Sequence, residues 1–113
     1  MMLEVGTIAL VPFPYTDLSA SKRRPVLLLT DVNERGDFIA IALTSRPQTD
    51  GTLALPAGPL ARGGALPSPS WIRTDKIITL RKTVVVKVLG RVDSSTRAEC
   101  VRRLCLALNL AEQ

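Results

Sequence analysis

The sequence predicts an α+β protein: one small curled sheet of about six mostly antiparallel strands, followed by a single C-terminal helix. Three observations carry this. Pro and Gly cut the chain before Asp93 into short apolar runs of strand length. The apolar period becomes helical only after that point. The chain has 113 residues, 46% hydrophobic and 22% charged, with neither an internal repeat nor a linker. Residues 1–113 therefore read as a single domain with one modest core.

The elements follow in order. Residues 7–11, between Gly6 and Pro12, form an apolar run long enough for a buried strand. A loop rich in turn formers then leads through Phe13 and Tyr15 to the basic triplet Lys22, Arg23 and Arg24. Pro25 biases Arg24 towards an extended backbone and opens a second run at 26–30. Residues 33–37 read as a hairpin turn into a third run at 38–45. These three runs are nearly continuous in apolar residues, as strands covered on both faces are. Residues 52–55 alternate weakly and suit an edge strand. The Pro/Gly-rich stretch 56–69 reads as loop, with a short helical turn at 60–62. Strands are expected again at 70–77 and 84–89, with a polar turn at 79–83 between them. Asp93 to Ser95 offer an N-cap, and Thr96 with Glu99 has capping-box spacing. Val101, Leu104, Cys105 and Leu108 then fall at the spacing of an amphipathic stripe.

Composition excludes several chemistries. The chain has no histidine, which removes His-based triads and His metal sites. Two cysteines alone cannot complete a structural zinc site of the usual kind, and no metal is expected. Cys100 and Cys105, five apart on one helix, are poorly placed for a disulfide and read as helix packing residues. Neither a P-loop nor a dinucleotide fingerprint is present, and no cofactor is implied. No apolar stretch reaches membrane-spanning length, and residues 1–6 do not read as a signal peptide, so a reduced cytoplasm is expected. The net charge of +5 is uneven. Residues 1–50 hold five Lys/Arg against six Asp/Glu, whereas residues 51–113 hold ten against four. A basic half permits a polyanionic partner, although composition alone favours a solvated face.

Any activity then falls to Arg, Asp, Thr, Ser, Tyr or Lys. Arg73 and Asp75 are two apart on a predicted strand, and period two places them on one face with Trp71. A cation beside a carboxylate can share proton transfer and charge stabilisation at a phosphate; spacing alone favours a surface ion pair worth about 0–1 kcal/mol. Lys22, Arg23 and Arg24 can clamp phosphates, Arg24 with a bidentate fork, or simply solvate a loop tip. The Thr44 and Ser45 hydroxyls end an apolar strand, where they can bind a phosphate oxygen or satisfy a turn. Trp71 can stack on an unpaired base for about 1–3 kcal/mol, or pack in a core or dimer.

Four segments in order resemble the MazF/PemK (Kid) toxins of bacterial toxin–antitoxin systems. Residues 6–13 are similar to their opening strand, and 24–28 to their Arg-Pro-Val segment after a basic or glycine-rich loop. Residues 42–45 resemble a strand ending in Thr-Ser or Thr-Gly. Residues 72–76 resemble the Arg-X-Asp-Gln segment, with a closing helix following. The resemblance spans nearly the whole chain. It implies an SH3-like barrel with a C-terminal helix, a homodimer, and a cognate antitoxin that covers the groove. It also implies a metal-independent endoribonuclease that cuts single-stranded RNA, commonly mRNA, through a 2′,3′-cyclic phosphate and so inhibits translation and growth. Carried over by position, Arg24 stabilises the phosphorane charge, and Asp75 takes the 2′-hydroxyl proton. Arg73 stabilises charge or assists the leaving oxygen, and Thr44 holds a phosphate oxygen with Ser45 beside it. Lys22, Arg23, Trp71 and Lys76 complete the RNA-binding set.

The chain departs from that pattern in three places. Residues 17–23 lack the histidine that some members carry there, Lys76 stands where Gln is frequent, and Ile78 where Arg is common. Two other readings share the same barrel: a catalytically silent module that binds RNA or a protein, and a toxin directed at DNA gyrase. Arg24, Thr44, Arg73 and Asp75 favour the enzyme.

Overall fold

The computed structural model describes residues 3–13, 22–48 and 52–109, Asp75 by its backbone alone. Its strands are β1 (Thr7–Pro12), β2 (Arg23–Leu28), β3 (Asp37–Thr44), β4 (Thr52–Leu55), β5 (Gly58–Pro59), β6 (Arg62–Gly63), β7 (Ala65–Leu66), β8 (Ser70–Arg81) and β9 (Lys87–Arg91). One helix, α1, spans Ser94–Ala107. Seven strands make a curled half-barrel sheet in the order β4-β8-β3-β2-β1-β9-β6, and β5 pairs with β7. Every described pairing is antiparallel. The α+β class and the closing helix are as the sequence predicts.

Strand alternation sorts the core into two layers. Ile8, Leu27, Leu29, Ile41, Leu43 and Ile72 pack on one face of the sheet, with Cys100, Val101 and Leu104 of α1 against them. Ala9, Val11, Val26, Leu28, Phe38, Ala40 and Leu80 form the other layer, covered by Leu3, Val32, Val84 and Val85. Neighbours in sequence thus bury on opposite faces, which is why β1, β2 and β3 are apolar without a break. Each fully buried Leu or Ile here contributes roughly 1.5–3 kcal/mol of transfer free energy. The turn between β2 and β3 is held by Asn33, whose Oδ1 accepts from the backbone N–H groups of Arg35 at 3.0 Å and Asp37 at 2.9 Å.

Expectations for three stretches of the sheet change. Strand β2 starts at Arg23 rather than after Pro25. Proline is tolerated there because β3 pairs with β2 only from Val26 onward, so Pro25 sits on a locally free edge. No helical turn forms at 60–62; the stretch is drawn into the short ladders of β5, β6 and β7. Strand β8 runs unbroken through Arg81, and the chain reverses instead in a 3₁₀ turn at Lys82–Val84. Continuous pairing with β3 carries Thr79 and Arg81, polar residues that face solvent.

The helix start is capped by Asp93, whose side chain accepts from the Thr96 N–H at 2.9 Å. Thr96 is therefore inside the first turn, and Glu99 forms no capping box. Its carboxylate takes Arg102 and Arg103, both at 2.7 Å. The buried face also sits further round than the predicted stripe: Cys100, Val101 and Leu104 meet the core, while Leu108 is 53% exposed.

Candidate functional site

The pairing of β3 with β8 slips at one place. Ile41 lies opposite Ile77 and Leu43 opposite Ile72, so β8 takes five steps where β3 takes two. The intervening residues, Arg73 to Lys76, bulge away from β3 opposite Ala42. Pairing of Arg73 with Thr52 on β4 keeps the start of that segment extended. A bulge re-aims side chains and frees backbone from the ladder. Here it carries Arg73 and Lys76 into a cleft beside the ends of β2 and β3.

That cleft encloses about 110 Å³. Arg73 and Lys76 line it from β8, Arg24 from β2, Thr44 with Ala42 and Leu43 from β3, and Phe13 from the end of β1. The Arg24 guanidinium carbon lies 5.1 Å from the centroid of the Phe13 ring, a cation–π stack. The stack pre-sets a long, rotamer-rich side chain, so less freedom is lost when the guanidinium takes a ligand. Thr44 Oγ1 accepts from the Arg46 N–H at 3.2 Å. The turn thus uses the hydroxyl as an acceptor and leaves its O–H to donate, a donor suited to an anionic oxygen. Three cationic side chains and one hydroxyl donor around an opening of this size suit a phosphate group.

A second cleft of about 200 Å³ also has Arg24 in its lining, but its other wall residues belong to the opposite face of the sheet. Arg23 and Ser45 line this one, with Leu10, Pro25 and Leu66. The structure therefore brings Arg24, Thr44, Arg73 and Lys76 of the sequence-predicted set into one cleft and places Arg23 and Ser45 in the second. Lys22 is exposed beside them, its carbonyl accepting from the Phe13 N–H at 3.0 Å. Trp71 lines neither cleft. It is half-buried, paired in the sheet with Thr44 of β3 and Ala54 of β4.

The Asp75 side chain and all of Tyr15 lie outside the described residues. Phe13 was ambiguous in sequence between core and site, and its place beneath Arg24 is the structure's contribution. The serines at 68 and 70, which line the second cleft, gave no signal within their Pro-rich stretch. Among the described residues no cluster of Cys, Asp and Glu is close enough to hold a metal ion. Cys100 and Cys105 are unbridged, and burial pushes the Cys100 thiol up to about 11, so it stays protonated and packs as an apolar group. Among the described residues no helix is long and apolar enough to cross a membrane.

Residues 4–108 match the family described as PemK-like, MazF-like toxin of type II toxin–antitoxin system. Comparison with curated protein sequences gives no match. Among solved structures, the chain is similar to a mycobacterial endoribonuclease in complex with its cognate antitoxin, at 24% identity and TM-score 0.71, covering 97% of this chain and 98% of that one. It is also similar to MazF of a MazE–MazF complex from Deinococcus radiodurans, at 19% identity and TM-score 0.72, covering 98% and 99%. A third is the toxin MazF-mt6 of Mycobacterium tuberculosis, at 19% identity and TM-score 0.68, covering 94% and 99%.

Proposed function

The chain belongs to the PemK-like, MazF-like toxin family of type II toxin–antitoxin systems, and we propose that it acts by cutting single-stranded RNA at the cleft between β2, β3 and β8, without a metal. The observation that supports this best is the convergence of Arg24, Thr44, Arg73 and Lys76 on one small opening from three separated segments of the chain. Structures of similar fold include an endoribonuclease held by its cognate antitoxin.

In the proposed reaction the scissile phosphate sits against Arg24 and Arg73. The 2′-hydroxyl attacks the adjacent phosphorus and passes its proton to Asp75, whose backbone lies in the bulge between Arg73 and Lys76. The bond from phosphorus to the 5′ oxygen breaks, leaving a 2′,3′-cyclic phosphate, and the departing oxygen takes a proton from water. Charge on the non-bridging oxygens grows in the phosphorane, where two guanidinium groups and the Thr44 O–H hold it more strongly than in the ground state. A carboxylate of ordinary acidity is a weak base at neutral pH, so positioning supplies much of the rate. The same reading includes a homodimer in the cytoplasm and a cognate antitoxin lying across the cationic cleft.

The test is to incubate the purified chain with long unstructured RNA in EDTA and map the new ends. Discrete cuts bearing 2′,3′-cyclic phosphate and 5′-hydroxyl ends are expected. Arg24→Ala and Asp75→Asn should each lower the rate by about 10²–10³-fold while keeping the fold. Normal cutting by both variants overturns the site. RNA left intact across unrelated sequences overturns the activity and favours a silent binding barrel.

A further inference from the structure

We infer that Lys76 is the group through which the departing 5′ oxygen receives its proton from water; the inference rests on the reading of the first cleft as an RNA-cutting site. Lys76 stands where Gln is frequent in the MazF/PemK pattern, and a Gln amide has no such proton to give. Strand register sets the geometry. Val26 lies opposite Ala42, so Arg24, two residues earlier, stands level with Thr44 at one end of the cleft. Ile77 lies opposite Ile41, so Lys76, the last residue of the bulge, enters beside Ala42. Ile78 packs on the Ala40 layer, and alternation puts Lys76 on that same face. Lys76 is thus displaced along β3 by about two residues from Arg24 and Thr44, roughly 7 Å. A four-carbon stem can cover that span. A phosphate whose non-bridging oxygens meet Arg24, Arg73 and Thr44 has only bridging oxygens left to offer Lys76.

The chemistry of the lining points the same way. The 5′ oxygen leaves as an alkoxide unless a donor protonates it while its bond to phosphorus breaks. A guanidinium stabilises charge without releasing a proton, which sets Arg24 and Arg73 aside as donors. The Thr44 hydroxyl is an alcohol, no stronger an acid than the one being formed. An ammonium can release a proton, and among the described lining residues Lys76 alone carries one. Lys76 is exposed, so water reaches its nitrogen. In the step, the bond from phosphorus to the 5′ oxygen breaks, its electron pair stays on that oxygen, and Lys76 gives the oxygen a proton. Lys76 is left neutral, while Asp75 holds the proton of the 2′-hydroxyl. Transfer from Asp75 to Lys76 through water restores both groups, and no co-reactant is consumed.

The test uses an RNA oligonucleotide spanning a mapped cut, made with either oxygen or sulfur as the bridging 5′ atom. A thiolate leaves without needing a proton, so the sulfur substrate requires no acid. Lys76→Arg keeps the charge but cannot release the proton, and Lys76→Ala loses both. On the oxygen substrate each variant should be slower by about 10²–10⁴-fold, the range of general acid–base catalysis. On the sulfur substrate Lys76→Arg should match the wild-type chain. Arg24→Ala should stay slow on both substrates, because it serves the charge of the phosphorane. Both Lys76 variants should keep the wild-type thermal midpoint, since the side chain is exposed. Wild-type cutting of the oxygen substrate by Lys76→Arg assigns Lys76 to charge alone and overturns the inference. Equal slowing of Lys76→Arg on both substrates also overturns it and leaves the nuclease reading standing. Long RNA left intact by the wild-type chain overturns the nuclease reading and the inference together.

Discussion

Arg24 is held by the residue that the sequence left most ambiguous. The Phe13 ring under its guanidinium fixes the charge where β2 still has a free edge, ahead of its pairing with β3. A cation–π contact of this kind is worth roughly 0.5–1 kcal/mol at partly exposed sites. Phe13→Leu keeps apolar bulk at the end of β1 but removes the ring face. It should lower the RNA cleavage rate by about two- to fivefold through kcat, with an unchanged thermal midpoint. An unchanged kcat would show that the stack plays no part in orienting Arg24. Arg24 itself was legible because it precedes a proline that forces extension. Phe13 was not, because an aromatic beside Pro12 reads equally well as core.

At the scale of elements, the sheet was legible and its irregularities were not. Apolar runs in β1, β2 and β3 show that both faces are covered. Nothing in the local sequence marks the three extra residues that β8 inserts opposite Ala42. That slip arises because β8 must serve β4 at its start and β3 along its length, a tertiary demand invisible to local pattern. The predicted face shared by Trp71, Arg73 and Asp75 assumed an unbroken pleat, and only Arg73 of the first two reaches the cleft.

The short ladders fail for a related reason. Just past the end of β6 the chain runs so close to β9 that a Cβ at Gly64 would stand 2.5 Å from the Leu89 carbonyl oxygen. Gly64→Ala should therefore cost about 1–3 kcal/mol and show as a lower denaturation midpoint. Leu89 also walls the second cleft, so its amide should move too. Wild-type stability in the variant would mean that the contact relaxes freely.

In the helix, Glu99 is drawn down to about 2, first by its hydrogen bond with Arg102 and then by that with Arg103. Its ordinary value of 4.5 is higher, so this pairing contributes above about pH 4.5 and is lost as the pH falls towards 2. Glu99→Gln should lower the thermal midpoint slightly at neutral pH and not at all near pH 2. A gap that stays constant across that window would sink the assignment.

Over the whole molecule, four of the ten cations in residues 51–113 are engaged by the protein's own carboxylates and carbonyls. Arg91 pairs with Glu4 and donates to the Val5 carbonyl, and Arg81 pairs with Asp37. Arg102 and Arg103 hold Glu99, and Arg103 also bonds the Thr52 carbonyl. The cations that meet at the clefts come from both halves: Arg23 and Arg24 from the half with a slight acidic excess, Arg73 and Lys76 from the basic one. Net charge along the sequence therefore misplaces the electrostatic surface, which the fold assembles by laying β2 and the β8 bulge on either side of β3. A quantitative consequence follows for RNA binding. If these four side chains each neutralise one phosphate of a single strand, the logarithm of the binding constant should fall against that of salt with a slope of about −3, near −0.7 per contact. Binding of a non-cleavable 2′-deoxy oligonucleotide measured across a salt series gives the slope directly. Lys76→Ala should make it shallower by about 0.7. A slope near zero, or one unmoved by that substitution, would place the polyanion elsewhere on the molecule.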